Sequence, residues 1–250
     1  MIIDNIFELG KQELAGQKIK DVIIGLSIIA VQLENGAIGS SYVLREELAG
    51  GCSLFPKGLE MLSMDAVEMA NWAVTDKNVI KRALGIAALN AGAGAHLDKT
   101  GNKKEFDYMS EVKETDIVGM IGHLGPIIRS LYGKTKDFII FDKGKEGNDI
   151  CADEMQKQKL PTCDIIFVSG TTFINNTIDE VLSRCIHARE IILIGSSTLL
   201  YPAAYKDSKI TIIAGSLWDK SKKEEIFKSI SLAGGIHNLS PYMEKIAIRV

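Results

Sequence analysis

From residue 116 onward the apolar residues come in short unbroken runs, at 116–121, 137–142, 164–169, 190–195 and 209–214. None of these runs alternates at period two, which is the pattern of parallel strands buried on both faces. The segments between them, 127–132, 149–158, 177–186 and 222–232, have apolar residues at helical spacing. The first third reads differently. Residues 4–17 place Ile6, Leu9 and Leu14 on one helical stripe, with Asp4 or Asn5 as the cap and Gly16 as the stop. An Ile-, Val- and Leu-rich run over 21–34 is followed by Asn35-Gly36 and a second β-like run over 38–44. An Asn-Gly pair between two such runs predicts a hairpin, because both residues tolerate positive φ. Two helical stretches follow at 59–74 and 78–91, with Met61, Met64 and Met69 at core-facing spacing.

The expected fold class is α/β: a Rossmann-like doubly wound parallel sheet over 116–250, preceded by a smaller α+β domain over 1–97. The polar stretch 98–115 is the expected connection. The hinge of the pattern is 115–131, where an apolar strand meets the turn Gly122-His-Leu-Gly125 and Pro126 opens a helix. Free N–H groups at such a helix start are an expected seat for an anion or polar ligand. The segment Asn90-Ala-Gly-Ala-Gly-Ala-His96 has two readings: a helix C-cap with a flexible linker, or small residues that admit close backbone approach at a cleft.

Composition narrows the class. The chain has 250 residues, 46% hydrophobic and 24% charged, with a net charge of -3. That balance argues against a nucleic-acid binder that relies on a basic surface. The four cysteines, Cys52, Cys151, Cys163 and Cys185, have no CxxC spacing, which suits a reduced cytoplasmic protein. Cys163 and Cys185 are expected to be packed thiols. No apolar run is long enough for a bilayer and no basic leader is seen, so neither a membrane partner nor a signal peptide is expected. Self-association is left open.

In a doubly wound sheet, ligands sit in the crevice outside the carboxyl ends of the strands. Those ends carry Gly122, His123 and Gly125, then Asp142, then Gly170-Thr171-Thr172 with Asn175 and Asn176, then Gly195 with Ser197 and Thr198. In the functional reading Gly122, Gly125, Gly170 and Gly195 permit backbone approach. Thr171, Thr172, Ser197 and Thr198 donate hydrogen bonds, and Asn90, Asn175 or Asn176 orients an anionic or oxygen-rich ligand. In the alternative reading the threonines and asparagines of 171–177 cap the next helix. His123 and Asp142 are the groups apt for proton transfer, and so are the candidate catalytic pair. Asp142 also stands about where a ribose-binding acid would, so an NAD- or S-adenosylmethionine-dependent enzyme is a second hypothesis; the glycine spacing is not the dinucleotide fingerprint. A non-catalytic carrier of a metal–chelator complex is the third. No G-x-S-x-G elbow supports a serine hydrolase. No ligand spacing supports a protein-held metal, although His96, His123 and Asp142 are side chains of the kind that ligate one.

Taken in order, Asn90 at a helix, Val118-Gly-x-x-Gly-x-x-Gly-Pro126, Gly170-Thr-Thr-x-x-Asn-x-Thr177-x-Asp179 and Gly195-Ser-Ser-Thr-x-Leu-x-Pro202 resemble the family described as putative heavy-metal chelation proteins. The resemblance covers nearly the whole chain. It implies an enolase-N-terminal-like domain joined to a Rossmann-like domain, with a site between the two drawing on Asn90 and the strand ends above. The enolase likeness concerns that small domain's fold and licenses no enolase chemistry. No cofactor is implied; a small organic chelator, or its precursor, is the expected ligand.

Overall fold

Helix α1 (Ile2–Leu14) buries Ile2, Ile3, Ile6 and Leu14 along one stripe. The computed structural model describes residues 1–48, 50, 55, 57–101, 106–145, 147 and 149–250, which leaves Cys52 and part of the 98–115 connection outside. Strands β1 (Ile19–Ile24), β2 (Ile28–Leu33) and β3 (Ile38–Tyr42) form an antiparallel sheet in that order. The apolar run at 21–34 is therefore two strands. The Gly25 N–H donates to Ile28 O at 2.9 Å across a reversal that the composition conceals, because β2 is buried on both faces. Asn35-Gly36 does make the second turn, with Gly36 at φ 85°.

Helix α2 (Ala66–Thr75) begins later than the spacing predicts, where the Asp65 carboxylate accepts from the N–H groups of Val67 and Glu68. Helix α3 (Val79–Thr100), capped by Asn78, runs straight through the Gly-Ala string and stops at left-handed Gly101. The linker reading is thus corrected. The small residues belong to a helix against which a strand lies directly: a Cβ on Gly39 of β3 would stand 2.0 Å from Ala87 O. Such contact requires glycine.

The second part contains β4 (Ile117–Ile121), α4 (Gly125–Leu131), β5 (Asp137–Phe141), β6 (Ile150–Cys151), α5 (Gln156–Lys159), β7 (Ile165–Ser169), α6 (Ile178–Arg184) and β8 (Glu190–Ile194). It continues with β9 (Ile212–Trp218), α7 (Lys223–Ser231), α8 (Ile236–Leu239) and β10 (Met243–Arg249). The seven strands stand in the order β10-β9-β8-β7-β4-β5-β6, all parallel except β10, which pairs antiparallel with β9. The fold is Rossmann-like, with departures from the sequence reading. The 149–158 segment holds the short strand β6 and a 3-10 turn before the brief α5, and β10 closes an edge that no apolar run announced.

The two faces of this sheet are covered unequally. Ile166, Val168, Ile191, Leu193 and Ile213 pack into one large cluster with α1, α3, α6 and the 199–205 segment. That cluster is continuous across both parts of the chain, and the buried Tyr201 hydroxyl donates to Leu89 O at 2.6 Å. The opposite face, with Met120, Phe167, Ile192 and Ile212, is met by α4 and by Phe106, Tyr108, Met109 and Val112. Helix α7 packs elsewhere, on β2. Cys163 and Cys185 are buried, and burial pushes their thiols up to about 12 and about 11. No helix of the described residues is long and apolar enough to cross a membrane.

Candidate functional site

The carboxyl ends of the parallel strands open on a cleft of about 1580 Å³, which also takes in Tyr42 to Glu47 from the first part. Gly122, Thr171 and Ser197, distant in sequence, line this one space. So do His123, Gly125, Asp142, Thr172, Asn175 and Gly195. Asn90, Gly170, Asn176 and Thr198 do not.

The strand–turn–helix after β4 spends its donors on the protein. The Gly122 N–H, in a residue at φ 87°, donates to Phe141 O at 2.7 Å. The His123 N–H donates to Asp142 Oδ2 at 2.6 Å, and the Gly144 N–H to Asp142 Oδ1 at 2.9 Å. Asp142 therefore ties two turns together, with both oxygens engaged. Two of the turn's N–H groups are thus spent on the protein, and the helix that follows, α4, has only 7 residues. His123 Nδ1 lies 2.9 Å from Lys145 Nζ. An ammonium donates, so Nδ1 offers its lone pair and the neutral ring carries its hydrogen on Nε2.

The 169–177 turn satisfies much of its own polarity. The Thr171 hydroxyl donates to Ser169 Oγ at 2.9 Å, and that of Thr172 to Ser169 O at 2.8 Å. Both hydroxyl protons are thus used within the turn, and no side chain caps the helix that follows, since Thr177 at the start of α6 makes no capping hydrogen bond. Asn175 Nδ2 donates to Glu47 Oε1 at 3.2 Å, joining the turn to the segment after β3. Asn176, in the left-handed region at φ 57°, offers Oδ1 to Arg82 Nη2. Arg82 is buried, and its guanidinium donates to Phe173 O at 2.7 Å and to Ile174 O at 2.8 Å. Burial lowers its pKa, and the more distant Asp76 charge only partly opposes that.

Asn90 and the 195–198 turn form the seam between the two parts. Asn90 Nδ2 donates to Ser40 O at 2.9 Å and to Ser196 O at 3.4 Å, so its amide clamps β3 to the turn. The Tyr42 N–H donates to Ser197 Oγ at 2.8 Å. A Cβ on Gly170 would lie 2.6 Å from Thr198 N, so this glycine is needed for a backbone-to-backbone approach, away from the cleft surface. Thr198 is buried, with Oγ1 unpartnered among the described residues. His96 sits on α3, 4.9 Å from the Tyr201 ring and 3.6 Å from Glu13 Oε1, and lines no part of the cleft.

Sequence reasoning missed the cleft's cations. Arg45 follows β3 directly, between the seam and the β5 turn, and Arg129 Nη1 folds back over Gly125 from one turn along α4. Neither guanidinium has an ion pair or hydrogen bond among the described residues. Arg45 had a signal, a charged Arg-Glu-Glu triplet closing an apolar strand; Arg129 had only its place one turn after Gly125. The lining is mixed in charge, since Glu46 and Glu154 also face it.

The family described as "Putative heavy-metal chelation" matches residues 8–93 and 104–249, the second match covering more than half of the chain. The chain belongs to this family. It is 28% identical over 228 residues to an uncharacterized protein of Methanocaldococcus jannaschii, covering 86% of each. The crystal structure of a family member of unknown function from Pyrococcus horikoshii is similar with a TM-score of 0.84, at 23% identity and 100% coverage of both chains. One from Desulfitobacterium hafniense gives 0.80 at 18% identity and 99% coverage of both. These two likenesses concern the fold. The family description raises a metal, and the donors present do not suit a protein-held one. Among the described residues no three His, Cys, Asp or Glu side chains stand together as ligands. Asp142 and His123 Nδ1 are already engaged.

Proposed function

We propose that the cleft binds a small oxygen-rich organic anion, a heavy-metal chelator or a precursor of one, in a cytoplasmic protein. One observation carries the reading. The strand-end turns at Gly122, Thr171 and Ser197 share a single cavity with Arg45 and Arg129, whose guanidinium groups have no partner among the described residues. Guanidinium forks suit carboxylates, and metal would enter as cargo of the ligand. Asn90, Gly170, Asn176 and Thr198 shape the site from behind. His123, with hydrogen on Nε2, offers a hydrogen-bond donor to a bound ligand. The nucleotide-cofactor alternative places a ribose on Asp142, whose two oxygens each already accept one backbone N–H and keep one further lone pair. A carrier uses the same contacts as an enzyme; mass analysis of the ligand after incubation separates them, because only an enzyme changes it.

Citrate is a suitable probe. Isothermal titration should show saturable binding, weakened by one to two powers of ten in Arg45→Gln with Arg129→Gln, as expected for losing charge-assisted bonds of about 1.5–3 kcal/mol. Equal citrate affinity in the folded double variant would overturn the reading.

A further inference from the structure

Parallel sheets are normally covered by helices on both faces, and this one is not. The β7–β8 and β8–β9 connections both lie on the side of the large shared cluster, and the β9–β10 connection leaves to pack on β2. On the other face, α4 stands over β4 and β5, while the 106–112 segment crosses low. The Phe106 N–H donates to Ala247 O at 3.1 Å, and the Tyr108 ring stands edge-on to Phe167 at 6.4 Å. Above that crossing no crossover helix of the described residues lies over β8 and β9, and the β9–β10 connection borders the space with Ile236, His237 and Ser240. The cleft continues there as a trough.

Its floor is small and apolar. Ala214 pairs across strands with Ala247, and Ser216 with Lys245, with Ile194 of β8 alongside. Phe106 and Tyr108 form an aromatic wall. Among the polar groups that line this space, the Tyr108 hydroxyl, whose pKa is raised by burial, and the Lys245 ammonium have no partner among the described residues. The whole cavity of about 1580 Å³ exceeds the roughly 300–1,000 Å³ of pockets that hold one drug-sized ligand.

We infer that the trough is a second subsite, which takes a flat apolar ring body carrying an acidic group. Stacking on Phe106 and Tyr108 and closeness to the alanine floor select the flat body; Lys245 selects the acid. The inference rests on the reading above in one respect: the oxygen-rich end of the same ligand occupies the strand-end turns, so the natural ligand is amphiphilic.

The probe is 8-anilino-1-naphthalenesulfonate, a fused-ring body with one sulfonate, titrated into the full chain by fluorescence. Single-site saturable binding is expected. Ala214→Leu and Ala247→Leu should weaken it at least about tenfold and leave citrate affinity unchanged. Lys245→Glu, an exposed change that leaves the core intact, should weaken the sulfonate probe about tenfold and not its uncharged analogue N-phenyl-1-naphthylamine. Absence of saturable probe binding, or equal probe affinity in folded Ala247→Leu and in Lys245→Glu, would overturn the subsite. Citrate binding distinguishes the two readings: intact citrate binding with no probe binding rejects the trough alone, and the reverse rejects the oxygen-rich head alone.

Discussion

The two faces of the seven-stranded sheet show what close cover does and what its absence leaves. On one side α1 and α3 of the first part complete the layer that crossover helices would otherwise supply, and Ile191, Leu193 and Ile213 disappear into a core shared by the whole chain. On the other side the same strands present Ile194, Ala214 and Ala247 to a cavity. The difference is one of connections rather than of strand composition: the strands are apolar on both faces, and only the path of each linking segment decides which face is sealed.

The sharpest way to break this contrast is to add bulk to each side. Gly39→Ala puts a Cβ 2.0 Å from Ala87 O, so a loss of roughly 3 kcal/mol is expected in urea denaturation. The larger addition Ala214→Leu, on the open side, should cost less than about 1 kcal/mol because its side chain enters a cavity. Similar losses for both would show that the two faces are equally filled.

Next in size is the clamp that fixes the 173–176 turn. Arg82→Met leaves the Phe173 and Ile174 carbonyls without donors, and a loss of about 2–3 kcal/mol is expected. Citrate affinity should fall as well, because Asn175 and the turn lose their support. A folded variant with wild-type stability would show that water replaces the guanidinium without cost.

The smallest effect lies at the amino ends of the strands, far from the cleft. The hydrogen-bonded Arg189 guanidinium holds the Asp116 carboxyl below the usual range. A depressed folded-state pKa means that this stabilisation is fully present above the unfolded value near about 4 and is lost as pH falls through the lower folded value. The stability gap between wild type and Arg189→Met should thus be widest above about pH 5 and narrow below about pH 3. A gap that is constant with pH would remove the ion pair from the account.

How much of this was legible follows from what each residue depends on. The parallel strands announced themselves because burial on both faces removes every polar position from the run. The same property hid the β1–β2 reversal, where two buried strands and a Gly25 turn read as one stretch. β10 was invisible for the opposite reason: as an edge strand it carries Glu244, Lys245 and Arg249 among its apolar residues. In the cleft, topology alone gathers Gly122, Thr171 and Ser197, since it depends only on where strands end. Whether Thr171 spends its hydroxyl on Ser169, or Asn90 its amide on Ser40, depends on rotamers and neighbours that no spacing encodes. Arg129 reaches the cleft only because Gly125 leaves room above it.

The seam of Asn90, Ser40, Tyr42 and Ser197 joins halves that have a single interior between them. Severed after α3, each fragment would expose apolar surface that the other covers, and any opening of that join would reshape the cleft at the same moment that it loosens the fold.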